Sequence, residues 1–201
     1  MVIWRRPDGG LLLHSPICLD PEAMATLEAL GPLTHIIVPC RIHRTDAAPF
    51  SARYPNAKLL TPACAREAVA EVVEVHASCE ESLGALGIRV HTPAGLSPFE
   101  LHYEIPLANG GRALLITDAL FNLGAAPPPG LGGLMLRLLG SVRPLGITPI
   151  GRWTFLHNKS AYRDYLEELA EIPGLQALCV AHGEAISQGT SDALRAAAAR
   201  V

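Results

Sequence analysis

The sequence predicts an α/β sandwich in a single domain spanning residues 1–201, on three observations. Short apolar and β-branched runs cluster early, segments of helical period alternate with them, and the middle of the chain shifts to the pattern of a sheet meander. Apolar residues make up 49% of the 201 residues, so one domain of this length buries roughly 70% of its unfolded surface.

The elements follow in order. Val2 to Arg5 and Leu11 to His14 flank Pro7-Asp8-Gly9-Gly10, where glycine supplies the positive φ of a tight turn, so the chain opens with a β-hairpin. Asp20-Pro21-Glu22 offers an N-cap, a proline at the first helical position and an early acid; Met24, Leu27 and Leu30 keep helical spacing, and Gly31-Pro32 is a stop. A helix over about Pro21 to Leu30 results. Thr34 to Val38 and Ala57 to Thr61 read as strands, with a long loop and a helical turn between Pro39 and Asn56, and Pro62 to Val73 reads as one helix. Gly87 to Thr92, Phe99 to Pro106 and Ala113 to Asp118 form the meander, the last two joined at Asn109-Gly110-Gly111. Residues 123–150 are rich in Gly and Pro, with Pro127-Pro128-Pro129-Gly130 before a short apolar helix from Leu131 to Leu139, and read as an insertion or lid. That helix is a cap on the core, a homodimer contact or a ligand lid. Ser160 to Ile172 is an amphipathic helix, Leu175 to Ala181 a buried strand and Ser191 to Arg200 an alanine-rich closing helix.

Several function classes drop out. No stretch approaches the roughly 20 apolar residues of a membrane span. The opening Met1-Val2-Ile3-Trp4-Arg5-Arg6 lacks the order of a secretion signal. The five cysteines, Cys18, Cys40, Cys64, Cys79 and Cys179, form no C-x-x-C and cannot all pair, so a reducing, cytoplasmic location is expected. Sixteen Lys plus Arg against nineteen Asp plus Glu give no reason to expect a nucleic-acid partner. Gly95-Leu96-Ser97-Pro98 lacks the closing glycine of a nucleophile elbow, and no P-loop or dinucleotide fingerprint is present.

Two segments have the form of a metal or catalytic site. Ala113 to Asp118 is an apolar strand ending on a carboxylate, and Leu178-Cys179-Val180-Ala181-His182-Gly183 is an apolar strand ending on an imidazole. If the strands are neighbours, both groups emerge at one sheet edge, where they could hold a divalent cation or act as a general acid/base pair; a turn carboxylate and a hydrogen-bonded histidine are the plainer alternatives. A third segment, Pro39-Cys40-Arg41-Ile42-His43-Arg44-Thr45-Asp46, is a polar loop after an apolar strand. Beside its arginines Cys40 could be a reactive thiol with His43 as base; a solvated turn is the alternative.

Together these segments resemble the metallo-β-lactamase fold superfamily, and within it a divergent branch, over most of the chain. Asp8-Gly9-Gly10-Leu11 to His14-Ser15-Pro16-Ile17 is similar to that branch's first hairpin. Thr34 to Pro39 with the loop through His43 resembles the strand and loop of the first metal motif. Arg89 to Leu96 is similar to the third-ligand region, Thr117-Asp118-Ala119-Leu120-Phe121 to the strand whose aspartate bridges two metals, Gly151-Arg152-Trp153 to the late region, and Ala181-His182-Gly183-Glu184 to the final histidine motif. The resemblance implies an αββα sandwich of metallo-β-lactamase type and a metal-dependent hydrolase.

The sequence also departs from the superfamily's H-x-H-x-D-H. Reading Cys40 on the first histidine puts Ile42, Arg44 and Thr45 on the next ligand positions, and Leu96 falls on the third-ligand histidine. Asp118 and His182 survive by position, with His43 beside the motif, so the implied site is degenerate and holds one divalent metal (zinc, iron or manganese) or none. With a metal, the chain would activate water against an ester, amide, thioester or phosphoester. Without one, a non-catalytic relative would bind a small anionic ligand or a protein partner through Arg41 and Arg44, with His14, Asn122, Arg152, His43 and His182 lining the cleft and Arg44 free to pair with Asp118. The remaining histidines, His91 and His157 among them, read as ordinary core or surface groups.

Overall fold

A computed structural model describes residues 1–124, 130–138 and 144–201, giving the backbone alone for Leu136 and Arg137. The chain divides into two compact units, Met1–Leu86 and Gly87–Val201.

The first unit is built on a five-stranded sheet in the order of the chain. Strands β1 (Val2–Arg5) and β2 (Leu11–His14) form the opening antiparallel hairpin. Strands β3 (Leu33–Ile37), β4 (Lys58–Thr61) and β5 (Ala77–Ser78) then add in parallel. Parallel neighbours need crossovers, which helices α1 (Pro21–Ala29), α2 (Ala47–Arg53) and α3 (Arg66–Ala70) supply. Asp20 caps α1 by accepting the Ala23 N–H at 2.8 Å. Leu11, Leu13, Met24, Leu27, Ile36, Phe50, Leu59 and Val69 form the core beneath these helices.

The structure corrects one helix here. Pro62 to Val73 breaks into a 3-10 turn, Ala63–Ala65, and the five-residue α3. No side chain caps α3, and the β-branched Val72 and Val73 give little support to a further turn. The short elements that follow, β5, α4 (Cys79–Ser82) and the 3-10 turn Leu83–Leu86, carry no periodic signal long enough to read.

The second unit holds a four-stranded sheet. Strands β6 (Arg89–His91), β7 (His102–Pro106) and β8 (Arg112–Ile116) are the expected antiparallel meander. Helices α6 (Pro149–Thr154) and α7 (Lys159–Ala170) lie between β8 and β9 (Leu175–Val180), which pairs parallel to β8. Helix α8 (Thr190–Ala198) follows. Leu114, Ile116, Leu120, Tyr162, Leu166, Leu169, Leu178 and Leu194 make the core. Strand β9 is half-buried rather than buried, because Gln176 is exposed and Leu175, Ala177 and Cys179 are only partly covered.

The Gly/Pro-rich segment falls partly outside the described residues, which omit 125–129 and 139–143. Helix α5 (Leu131–Leu138) is present, with Leu131, Leu134, Met135 and Leu138 exposed. Downstream, Leu145 and Ile147 are buried in the core, and Thr148 caps α6 on Gly151 N–H at 3.0 Å. Among the described residues no helix is long and apolar enough to cross a membrane.

Candidate functional site

The register of β8 and β9 creates the principal candidate site. The two strands run parallel with Ile116 opposite Val180, so Asp118 and His182 each lie two residues beyond a paired position, at the same sheet edge. His182 Nε2 lies 2.9 Å from Asp118 Oδ1. The carboxylate side chain is 9% exposed and the imidazole 41%, which leaves the pair open on the histidine side.

The loops leaving both strands clamp each other. Asn122 N–H donates to the His182 carbonyl at 2.9 Å, and Glu184 N–H donates to the Asn122 carbonyl at 3.0 Å. The Asn122 side-chain amide donates to the Glu184 carbonyl at 2.7 Å. This approach requires Gly183: its φ is 108°, and a Cβ there would lie 1.9 Å from the Asn122 carbonyl oxygen. Phe121 stacks on the His182 ring at 4.4 Å between centroids. Asn122, expected to line a ligand cleft, thus has its amide committed to the loop backbone.

Behind Asp118 lies a buried polar network that the sequence reading did not single out. Glu100 accepts N–H bonds from Thr117 at 3.2 Å, Asp118 at 2.6 Å and Ala119 at 3.2 Å. Its Oε1 is also 3.2 Å from His102 Nε2, and His102 Nδ1 is 2.9 Å from the Tyr165 hydroxyl. A visible signal existed, since Glu100, His102 and Glu104 recur at every second position of Phe99 to Pro106. That pattern ordinarily marks a solvated strand face, yet these residues are 2%, 0% and 3% exposed. Each is buried because each is partnered; Glu104 meets Arg89 and His91 at 3.1 Å and Arg112 at 3.3 Å.

In the first unit, His14 ends β2 and is buried. Ser15 follows with φ 57°, among the described residues the one non-glycine at positive φ, a strained conformation for an L residue. Its Oγ shares a 2.7 Å hydrogen bond with His43 Nδ1. The loop carrying His43 is tied down by Cys18 N–H donating to Asp46 Oδ2 at 2.8 Å. Cys40 is fully buried, a poor setting for a nucleophilic thiol that substrate must reach.

Arg41 is exposed. Arg44 bonds Glu71 Oε2 at 2.5 Å and the Ala68 carbonyl, so an acid and a carbonyl of its own unit engage the guanidinium expected to pair with Asp118 or an anion. Arg152 donates to the carbonyls of Arg200 and, at 2.9 Å, Val201, satisfying acceptors just beyond α8. Leu96, on the position that the resemblance gives to a histidine, is buried in the apolar core. His91 is held by Glu104, and His157 is exposed, with its N–H donating to the Gly95 carbonyl at 3.0 Å.

Comparison with solved structures identifies the fold. The chain is similar to the metallo-β-lactamase FIM-1 from Pseudomonas aeruginosa in its mono-zinc form, with 10% identity and a TM-score of 0.58 over 98% of this chain and 82% of that one. It is also similar to a metallo-β-lactamase from Pontibacter korlensis, with 9% identity and a TM-score of 0.60 over 99% and 86%. A metallo-β-lactamase from Erythrobacter litoralis gives 11% identity and a TM-score of 0.57 over 99% and 84%. No family model matches the chain, and no curated protein matches it. The chain has the metallo-β-lactamase fold.

Proposed function

We infer that the chain is a metal-dependent hydrolase-like protein with a reduced site, in which Asp118 and His182 hold one divalent cation, zinc, iron or manganese. The observation that carries this reading is the Asp118–His182 pair at the ends of two parallel strands. The donor chemistry suits such an ion: a carboxylate and an imidazole are both zinc ligands. Ile42, Arg44, Thr45 and Leu96 supply no ligands where the superfamily has them, which limits the reading to a single ion.

A bound divalent cation would acidify a coordinated water and polarise a carbonyl or phosphoryl oxygen. The protein's own groups do the remaining work. Asp118 presents a carboxylate oxygen to His182 Nε2 at the sheet edge, while Phe121 stacks on the His182 ring. The Asn122–Gly183 clamp holds both strand ends before any ligand arrives, which lowers the cost of organising them in the reaction.

The test is hydrolysis of model esters, thioesters, amides and phosphoesters with and without a chelator. The expected result is turnover of at least one class that the chelator abolishes and that Asp118→Ala and His182→Ala lose. Turnover unaffected by chelator and by both substitutions would contradict the reading.

A further inference from the structure

We propose that Glu100 is a positioning residue, fixing through three consecutive backbone amides the turn from which Asp118 reaches His182, with His102 and Tyr165 holding Glu100 in turn. Strand β8 ends at Ile116, so the N–H groups of Thr117, Asp118 and Ala119 have left the sheet ladder and need other acceptors. All three converge on the Glu100 carboxylate, at 3.2, 2.6 and 3.2 Å. Successive amides aimed at one anion form a nest, and an acceptor-only carboxylate suits it better than any neutral side chain.

The remaining contacts order the carboxylate itself. Both Glu100 and His102 side chains are 0% exposed. Burial, and after it the Glu100 charge, push the Tyr165 hydroxyl well above the usual phenol range, so it remains a proton donor. Tyr165 donating to His102 Nδ1 leaves the ring proton on Nε2, facing Glu100 Oε1. The chain thus runs from helix α7 through β7 to the turn after β8, and ends on the backbone of Asp118. Glutamine at position 100 would keep the shape but turn an NH2 donor toward N–H donors, loosening the turn without emptying the core.

The zinc part of the test rests on the metal reading above; the ring signals do not. Glu100→Gln, Tyr165→Phe and a destabilising control in the core of the first unit, Leu27→Ala, are compared with wild type by nuclear magnetic resonance of the Asp118 amide and the His182 ring nitrogens, and by calorimetric zinc titration. Glu100→Gln is expected to move both sets of signals and to weaken zinc binding by about 10–100-fold. Tyr165→Phe should move them less and in the same direction, and Leu27→Ala should lower the melting temperature while moving neither. A folded Glu100→Gln protein with wild-type His182 signals overturns the proposal. If that variant fails to fold, Tyr165→Phe decides by the same signals. If wild type takes up no zinc, the metal reading fails, and the ring signals alone decide whether Glu100 positions the pair.

Discussion

At the scale of single residues, burial determines what each histidine contributes. His35 is half-buried in the first unit, and desolvation is the main force holding its imidazole below its ordinary value, with Arg6 and Lys58 adding to it. His91 is also lowered by burial, against the pull of Glu104. For both, the unfolded chain takes up the proton first as pH falls. Their contribution to stability is therefore intact above about pH 6.5, and declines below it until the folded groups protonate. The expected outcome is a melting temperature that falls between pH 7 and pH 5, with a shallower fall in His35→Asn; thermal unfolding at several pH values measures it. Residue identity alone showed which groups could act at Asp118 and His182, because both close apolar strands. It gave no comparable view of Glu100 and His102. Their alternation with apolar neighbours has the period of a wetted strand face, and partners distant in sequence reverse that expectation. The partners of Arg44 and Arg152 were out of view for the same reason: Glu71, Ala68 and the carbonyls of Arg200 and Val201 are not local in sequence.

At the scale of elements, the legible ones carried their own boundaries. Helix α1 has a cap, a proline at its first position and a glycine-proline stop, and the hairpin of β1 and β2 has its turn residues, so both fall where the sequence puts them. Helix α7 begins one residue earlier than its apolar period, at Lys159, because Asn158 accepts the Ala161 N–H at 3.1 Å. Short elements without caps, such as α3 and β5, lacked any such signal. The pairing of β8 with β9 was a conditional expectation, and the observed register is what brings Asp118 and His182 together. The clamp between the loops after these strands should be correspondingly sensitive. Gly183→Ala places a methyl carbon against the Asn122 carbonyl at a residue of φ 108°, and is expected to cost at least about 2 kcal/mol. Denaturant unfolding measures this, and a loss below half that figure would mean the loops part without strain.

At the scale of the whole molecule, the chain shares its fold with metallo-β-lactamases while sharing few of their residues. This is physically reasonable, since a fold asks for apolar pattern, crossovers and turn chemistry, which many sequences satisfy. Chemistry asks for particular atoms, and a shared fold does not transfer them. Here two of those atoms, on Asp118 and His182, meet at a sheet edge, and a buried carboxylate holds the turn beneath one of them. The inferred function rests on this edge being a metal site. Elemental analysis of protein purified without chelator or metal-affinity resin, repeated after exposure to zinc, manganese and ferrous iron, tests that claim most directly. About one tightly held ion per chain, absent from His182→Ala and Asp118→Ala, is the predicted result. No ion under any of these conditions, or an ion that both variants retain, would contradict it.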